Sequence, residues 1–114
     1  MSLKQWILSL LSRRGKALSQ YRSGMAKARN QDYLGAIADY TEAIKSAGIP
    51  ADIKGMAMYN RALAFAALNE DQKAADDLAA MLKMPGLPEN VLAQARQRRE
   101  RIRRRLLGDE RAEK

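Results

Sequence analysis

Cysteine and histidine are both absent from this sequence, and their absence closes off a good deal of chemistry. It leaves no thiolate nucleophile, no disulfide, no imidazole base and none of the nitrogen or sulfur ligands that usually hold zinc. Aromatic residues are scarce, at 5% of the 114 residues, and only three prolines occur, Pro50, Pro85 and Pro88. No apolar run approaches the roughly 20 residues that a bilayer-spanning helix needs. Trp6-Ile7-Leu8-Ser9-Leu10-Leu11 is also short for a signal-peptide core, and Arg13-Arg14 follows it instead of a small-residue cleavage site. A soluble protein with a cytoplasmic location is the default expectation, which a cysteine-free chain fits.

What is present is alanine, with leucine and methionine. That composition favours closely packed helices over a sheet sandwich, and the prolines leave long stretches with no helix breaker. The expected fold class is therefore all-α. The net charge of +8 is unevenly spread: +7 in residues 1–30, where there is no acid, −4 in 31–90 and +5 in 91–114. Basic ends around an acidic middle point to acidic partners, nucleic acid or self-association.

The sequence repeats at an offset of 38. Tyr21 falls on Tyr59, Gly24 on Ala62, Ala26 on Ala64 and Ala28 on Ala66. Asp32 falls on Glu70, Ala36 on Ala74, Asp39 on Asp77, Tyr40 on Leu78 and Lys45 on Lys83. The linker follows the same register, with Gly48-Ile49-Pro50 recurring as Gly86-Leu87-Pro88. A set this large in one ungapped register marks a true internal repeat.

Each unit reads as a pair of helices. Helix A of the first unit is expected over 13–29 and helix B over 33–46, with Ala36, Tyr40 and Ala43 on one face. Gly48 is placed to end helix B in a left-handed conformation, and Pro50 stops it continuing. The second pair is expected over 52–68 and 71–83, with Ala74, Leu78, Met81 and Leu82 as its core stripe. A last helix begins near Pro88 and runs to Leu107, with Leu92, Ala95, Ile102 and Leu106 toward the core. Small residues at Gly24, Ala36, Ala62 and Ala74 allow antiparallel helices to approach closely. The resulting division is 1–12 as an N-terminal amphipathic segment, 13–50 and 51–87 as the two units, 88–107 as a basic helix and 108–114 as a tail.

Asp32-Tyr33-Leu34-Gly35-Ala36-Ile37, followed by Tyr40 and Ala43-Ile44, resembles helix B of a tetratricopeptide repeat. Gly24 stands where that family has Gly or Ala in helix A, and Ala62, Phe65, Ala74, Leu78 and Met81 fill the matching places of the second unit. The resemblance covers residues 17–107, and its period of 38 exceeds the family's usual 34 by about one helical turn. The extra residues are expected around Ala51 to Gly55. The position that often carries Trp holds Gln20 and Met58. Leu107-Gly108-Asp109-Glu110-Arg111-Ala112 looks like the start of a further helix B. The chain thus reads as a segment of a longer protein, with Met1-Ser2-Leu3 as a cloning remnant.

The resemblance implies an α-solenoid of about two antiparallel helix-pair repeats plus a C-terminal helix. It also implies a concave side lined by the A helices. On that side it places Tyr21, Arg22, Met25, Ala28 and Arg29, then Tyr59, Asn60, Leu63, Ala66 and Ala67, then Gln97, Arg98, Arg101 and Arg105. Tyr and Met give adaptable apolar contact, and Arg can grip a carboxylate with two parallel bonds. Of the five positions with which some members clamp a chaperone's C-terminal tail, only Asn60 and Arg98 match. The chaperone-tail reading is accordingly set aside.

Two features stand outside the repeat. Seven arginines crowd residues 96–105, where like charges three or four apart weaken a helix; with no aromatics interleaved they are a weak RNA signal. At the other end, Leu3, Trp6, Ile7, Leu10 and Leu11 form an apolar stripe beside Lys4, Arg13 and Arg14. Packing as a cap or self-association is favoured for this stripe over a membrane surface. Adjacent carboxylates such as Asp76-Asp77 point in different directions on a helix and make no acid–base pair. The expected function is non-catalytic and needs no cofactor: a scaffold binding an acidic peptide or protein, with nucleic-acid binding by the basic helix as the alternative.

Overall fold

The computed structural model describes residues 2–108. They form five helices: α1 (Leu3–Arg29), α2 (Tyr33–Lys45), α3 (Ala51–Ala67), α4 (Asp71–Leu82) and α5 (Glu89–Leu106). Among the described residues there is no strand, and no helix is long and apolar enough to cross a membrane. The turn expected from 107 onward lies beyond the described residues after Gly108.

The first helix corrects an expectation. Residues 3–12 are not a separate segment but the leading turns of one 27-residue helix, so they cannot fold back on helix A as a cap. The reason is local. Ser2 and Gln5 close a capping box, and from there to Arg29 no proline intervenes; Gly15 and Gly24 cost about 1 kcal/mol each, which does not break a helix.

The α1–α2 and α3–α4 turns have the same backbone. Gln31 and Asn69 take φ values of 63° and 62°. The Asp32 N–H donates to the Lys27 carbonyl at 2.9 Å, and the Glu70 N–H donates to the Phe65 carbonyl at 2.8 Å. All these pairs stand 38 residues apart. The α2–α3 and α4–α5 connections match as well: Gly48 and Gly86 are left-handed at 76° and 84°, as expected for Gly48. Pro50 and Pro88 then precede their helices with nearly equal angles, φ −61°, ψ 146° and φ −59°, ψ 147°. The end of α5 resembles those of α1 and α3. Leu107 takes the place of Asn30 and Leu68, and left-handed Gly108, φ 63°, follows it.

Each helix packs on its neighbours in sequence, and α1 also touches α3. The array measures 63 × 29 × 18 Å. Its expected core stripes are buried: Ala36, Tyr40 and Ala43 on α2, and Ala74, Leu78 and Met81 on α4, with Leu82 half-buried. Full burial of side chains such as Leu78, Met81 and Ile102 contributes about 1.5–3 kcal/mol each. Gly24 shows why a small residue is needed there, since an added Cβ would lie 2.6 Å from the Tyr40 ring. Gly55 is packed the same way against Leu87, again at 2.6 Å. On α5, Ala95 and Ile102 reach the core and Leu92 packs against it. Leu106 does not. It is 41% exposed, lining with Gln72 and Ala75 of α4 a depression open to solvent.

Candidate functional site

Helices α1, α3 and α5 carry the residues singled out from the sequence, and the structure gathers most of them into two neighbouring depressions. The first is lined by Met25, Ala28 and Arg29 of α1, Tyr40 of α2 and Asn60 of α3. The second, with a volume of about 300 Å3, is lined by Tyr59 of α3 and by Gln94, Gln97, Arg98 and Arg101 of α5. Tyr59 and Asn60 are consecutive on α3, so that helix contributes to both. The four α5 residues follow an i, i+3, i+4, i+7 spacing, which puts them on one helix face. Arg22 is exposed on α1 and Leu63 half-buried on α3, and neither is among the lining residues.

Tyr21 sits between the units. Its hydroxyl accepts a 2.9 Å hydrogen bond from the Asn60 side-chain amide, and its ring lies 6.0 Å from that of Tyr40, tilted by 44°. Burial raises the pKa of Tyr21, and the Asn60 bond pulls partly the other way. Tyr40 is pushed up to about 12, first by burial and then by the neighbouring Tyr21. Both phenols therefore stay neutral; Tyr21 is half-buried and packs on Tyr40, which is only 1% exposed.

The electrostatics of α5 divide its arginines into two groups. Arg96 pairs with Glu89, Arg103 and Arg104 with Glu100, and Arg105 with Asp71 of α4 at 2.6 Å. The Arg103 hydrogen bond is the main reason why the Glu100 carboxyl stays below its ordinary range. Among the described residues, Arg98, Arg99 and Arg101 have no carboxylate within ion-pair distance. Two of these three face the second depression, and none of the described residues lining either depression is acidic. The site presents positive charge, amide groups and aromatic rings. Among the described residues no carboxylate cluster is arranged to hold a metal ion.

Behind the depressions lie polar ties that the sequence reading missed. Arg61 donates from Nε and Nη2 to the two carboxylate oxygens of Asp77, at 2.8 and 2.6 Å, and from Nη1 to the Thr41 hydroxyl at 3.1 Å. The Phe65 ring lies 5.8 Å from both the Arg61 guanidinium and the Lys73 ammonium. In the first unit the equivalent pair is Ser23, which donates to Asp39 at 2.6 Å, and Lys27 joins it at 3.0 Å. The signal available was the match of Asp39 with Asp77. The partners at the matched position, Ser23 and Arg61, differ in type, so comparing residue kinds did not reveal them.

No protein-family model matches the chain, and comparison with curated proteins and with solved structures found no match.

Proposed function

We propose that this chain is a tetratricopeptide-like, non-catalytic binding module of the cytoplasm, and that it holds an acidic peptide segment of a partner protein across α1, α3 and α5. The observation that carries the reading is the acid-free depression in which Arg98 and Arg101 stand beside Tyr59, Gln94 and Gln97. Arginines that have no carboxylate partner among the described residues can offer a ligand's carboxylates two parallel bonds. Amides beside them can satisfy an extended backbone, and Tyr59 offers a stacking surface. The turns repeated at 38 residues support a solenoid of two helix pairs, with α5 as a third helix A. An acidic stretch running from the α5 depression past Tyr59 and Asn60 would meet Met25 and Arg29 next.

The test is fluorescence anisotropy with labelled extended peptides, one rich in Glu and Asp and one with the same length and amides in place of acids. Tighter binding of the acidic peptide is expected, weakened at least tenfold by Arg98→Ala with Arg101→Ala. Equal binding by wild type and the double variant would remove the site. The same titration with labelled RNA at two salt concentrations covers the alternative. RNA binding that is tighter than peptide binding and falls steeply with salt would move the reading to nucleic acid.

A further inference from the structure

The first fourteen residues of α1 extend beyond the rest of the array. Residues 3–8 and 11–16 are all exposed, and among the residues whose burial is described the first fully buried one of the helix is Ala17. Coverage by α2 stops there, since Ser46, just past the end of α2, lies beside Gln20. At 1.5 Å per residue the overhang is about 20 Å long. It carries Trp6, Ile7, Leu8 and Leu11 at exposures of 53%, 44%, 55% and 58%. A helix of this length is marginal in water without a surface to lie on.

We propose that this overhang is an amphipathic helix that lies on an anionic lipid surface. At about 100° per residue, Leu3, Trp6, Ile7 and Leu11 span a sector of roughly 140°. Lys4 falls just outside one edge of it and Arg13 just outside the other, where their stems can bury while the charges reach headgroups. Arg14 falls within the sector at its end nearest the packed array, where a long stem can carry its charge out to headgroups, and Lys16 lies on the opposite face; the first acid in the chain is Asp32. Each such cation near an anionic membrane strengthens partition about fivefold.

Charge and area both weigh against a second copy as the occupant. Two overhangs side by side would bring eight cations together with no acid between them. A contact one helix wide and about 20 Å long covers on the order of 400 Å2 per partner, about half of what a standard stable interface uses. A lipid surface has the opposite charge and no such area requirement. The overhang is too short to span a bilayer, so it lies in the interface plane.

Trp6 is the single tryptophan and reports insertion directly. The full chain is titrated with phosphatidylcholine vesicles, and with vesicles in which about a third of the lipid is phosphatidylserine, while tryptophan emission and vesicle flotation are followed. A blue shift and at least tenfold stronger partition on the anionic vesicles are expected, with both lost in Ile7→Glu with Leu11→Glu. Circular dichroism serves as the folding control for that variant, whose substituted positions lie outside the packed core. Equal partition on the two vesicle types, an unshifted emission on anionic vesicles, or a lipid-free dimer that shields Trp6 in sedimentation and quenching would each overturn the proposal. None of these readouts depends on Arg98 or Arg101, so they stand apart from the peptide site.

Discussion

Arg61 and Asp77 form a two-pronged ion pair between α3 and α4, with the Asp77 residue only 8% exposed. Removing one member would leave the other buried without a counter-charge. Arg61→Ala is expected to cost about 3–5 kcal/mol in urea denaturation. Arg61→Met combined with Asp77→Leu should recover most of that loss, because apolar side chains of similar volume can replace a buried pair. A double variant as unstable as the single one would show that the guanidinium matters for something other than neutralising Asp77.

The more exposed ion pair between Arg105 and Asp71 has a similar distance, 2.6 Å, but a different setting. Arg105→Gln is expected to change stability by less than about 1 kcal/mol, since solvent screens exposed pairs and ordering two long side chains costs entropy. Chemical denaturation in parallel with the Arg61 variants tests the contrast.

Two glycines of α1 should respond to alanine with opposite signs. Gly24→Ala places a methyl group 2.6 Å from the buried Tyr40 ring, which has little room to retreat. A loss of about 1–3 kcal/mol is expected from such overpacking. At Gly15 nothing lies within 4 Å of the added carbon. There alanine should raise helicity and add up to about 1 kcal/mol, the ordinary difference between the two residues in a helix. Thermal melts followed by circular dichroism measure both.

Stability should fall at both extremes of pH for separate reasons. Burial opposes ionisation of Asp39, but the Ser23 and Lys27 hydrogen bonds outweigh it and lower its pKa below the ordinary 3.8. Its contribution is therefore present above about pH 4 and is lost as pH falls through the lower folded value. Asp39→Asn should lower the midpoint at pH 7 and make little difference near pH 2. Tyr40 behaves in the opposite direction: its phenol is neutral in the fold up to about 12, against an ordinary 10.0. That contribution is present below pH 10 and lost between 10 and 12. Tyr40→Phe should leave stability at pH 7 almost unchanged and make the alkaline decline shallower, as measured by urea titration at pH 8 and pH 11.

Gln31 holds a φ of 63°, a left-handed conformation that a residue with a Cβ enters at a cost. Gln31→Gly is expected to stabilise the chain by about 0.5–1 kcal/mol, after allowing for the extra freedom glycine gives the unfolded state. Asn69→Gly, at the equivalent place, should gain less, because asparagine tolerates this region better than glutamine.

The helices and their repeat were legible because each boundary carries a local cause. Gly48 and Pro50 announce the first connection, and the alanine stripes announce the packed faces. The bounds of α2 to α5 fall within a residue or so of those read from spacing. The start of α1 was misplaced because its signal, the reciprocal Ser2–Gln5 cap, sits at the edge of the chain and was passed over in favour of the apolar stripe. Helical phase alone puts Leu106 toward the core, but phase does not tell that α4 meets it there across an open depression with Gln72 and Ala75. Of the candidate site, Met25, Arg29, Tyr59, Asn60, Arg98 and Arg101 line the two depressions, while Arg22 and Leu63 do not. Which arginines of α5 keep their charge free depends on carboxylates such as Asp71, on another helix, and spacing within α5 carries no trace of it.

Packing between successive neighbours, noted for the fold, has a kinetic corollary. Most helix contacts form between segments that meet over short loops, so the chain can assemble by zipping outward from whichever hairpin closes first. Nothing obliges its two termini to find each other before the rest is secure.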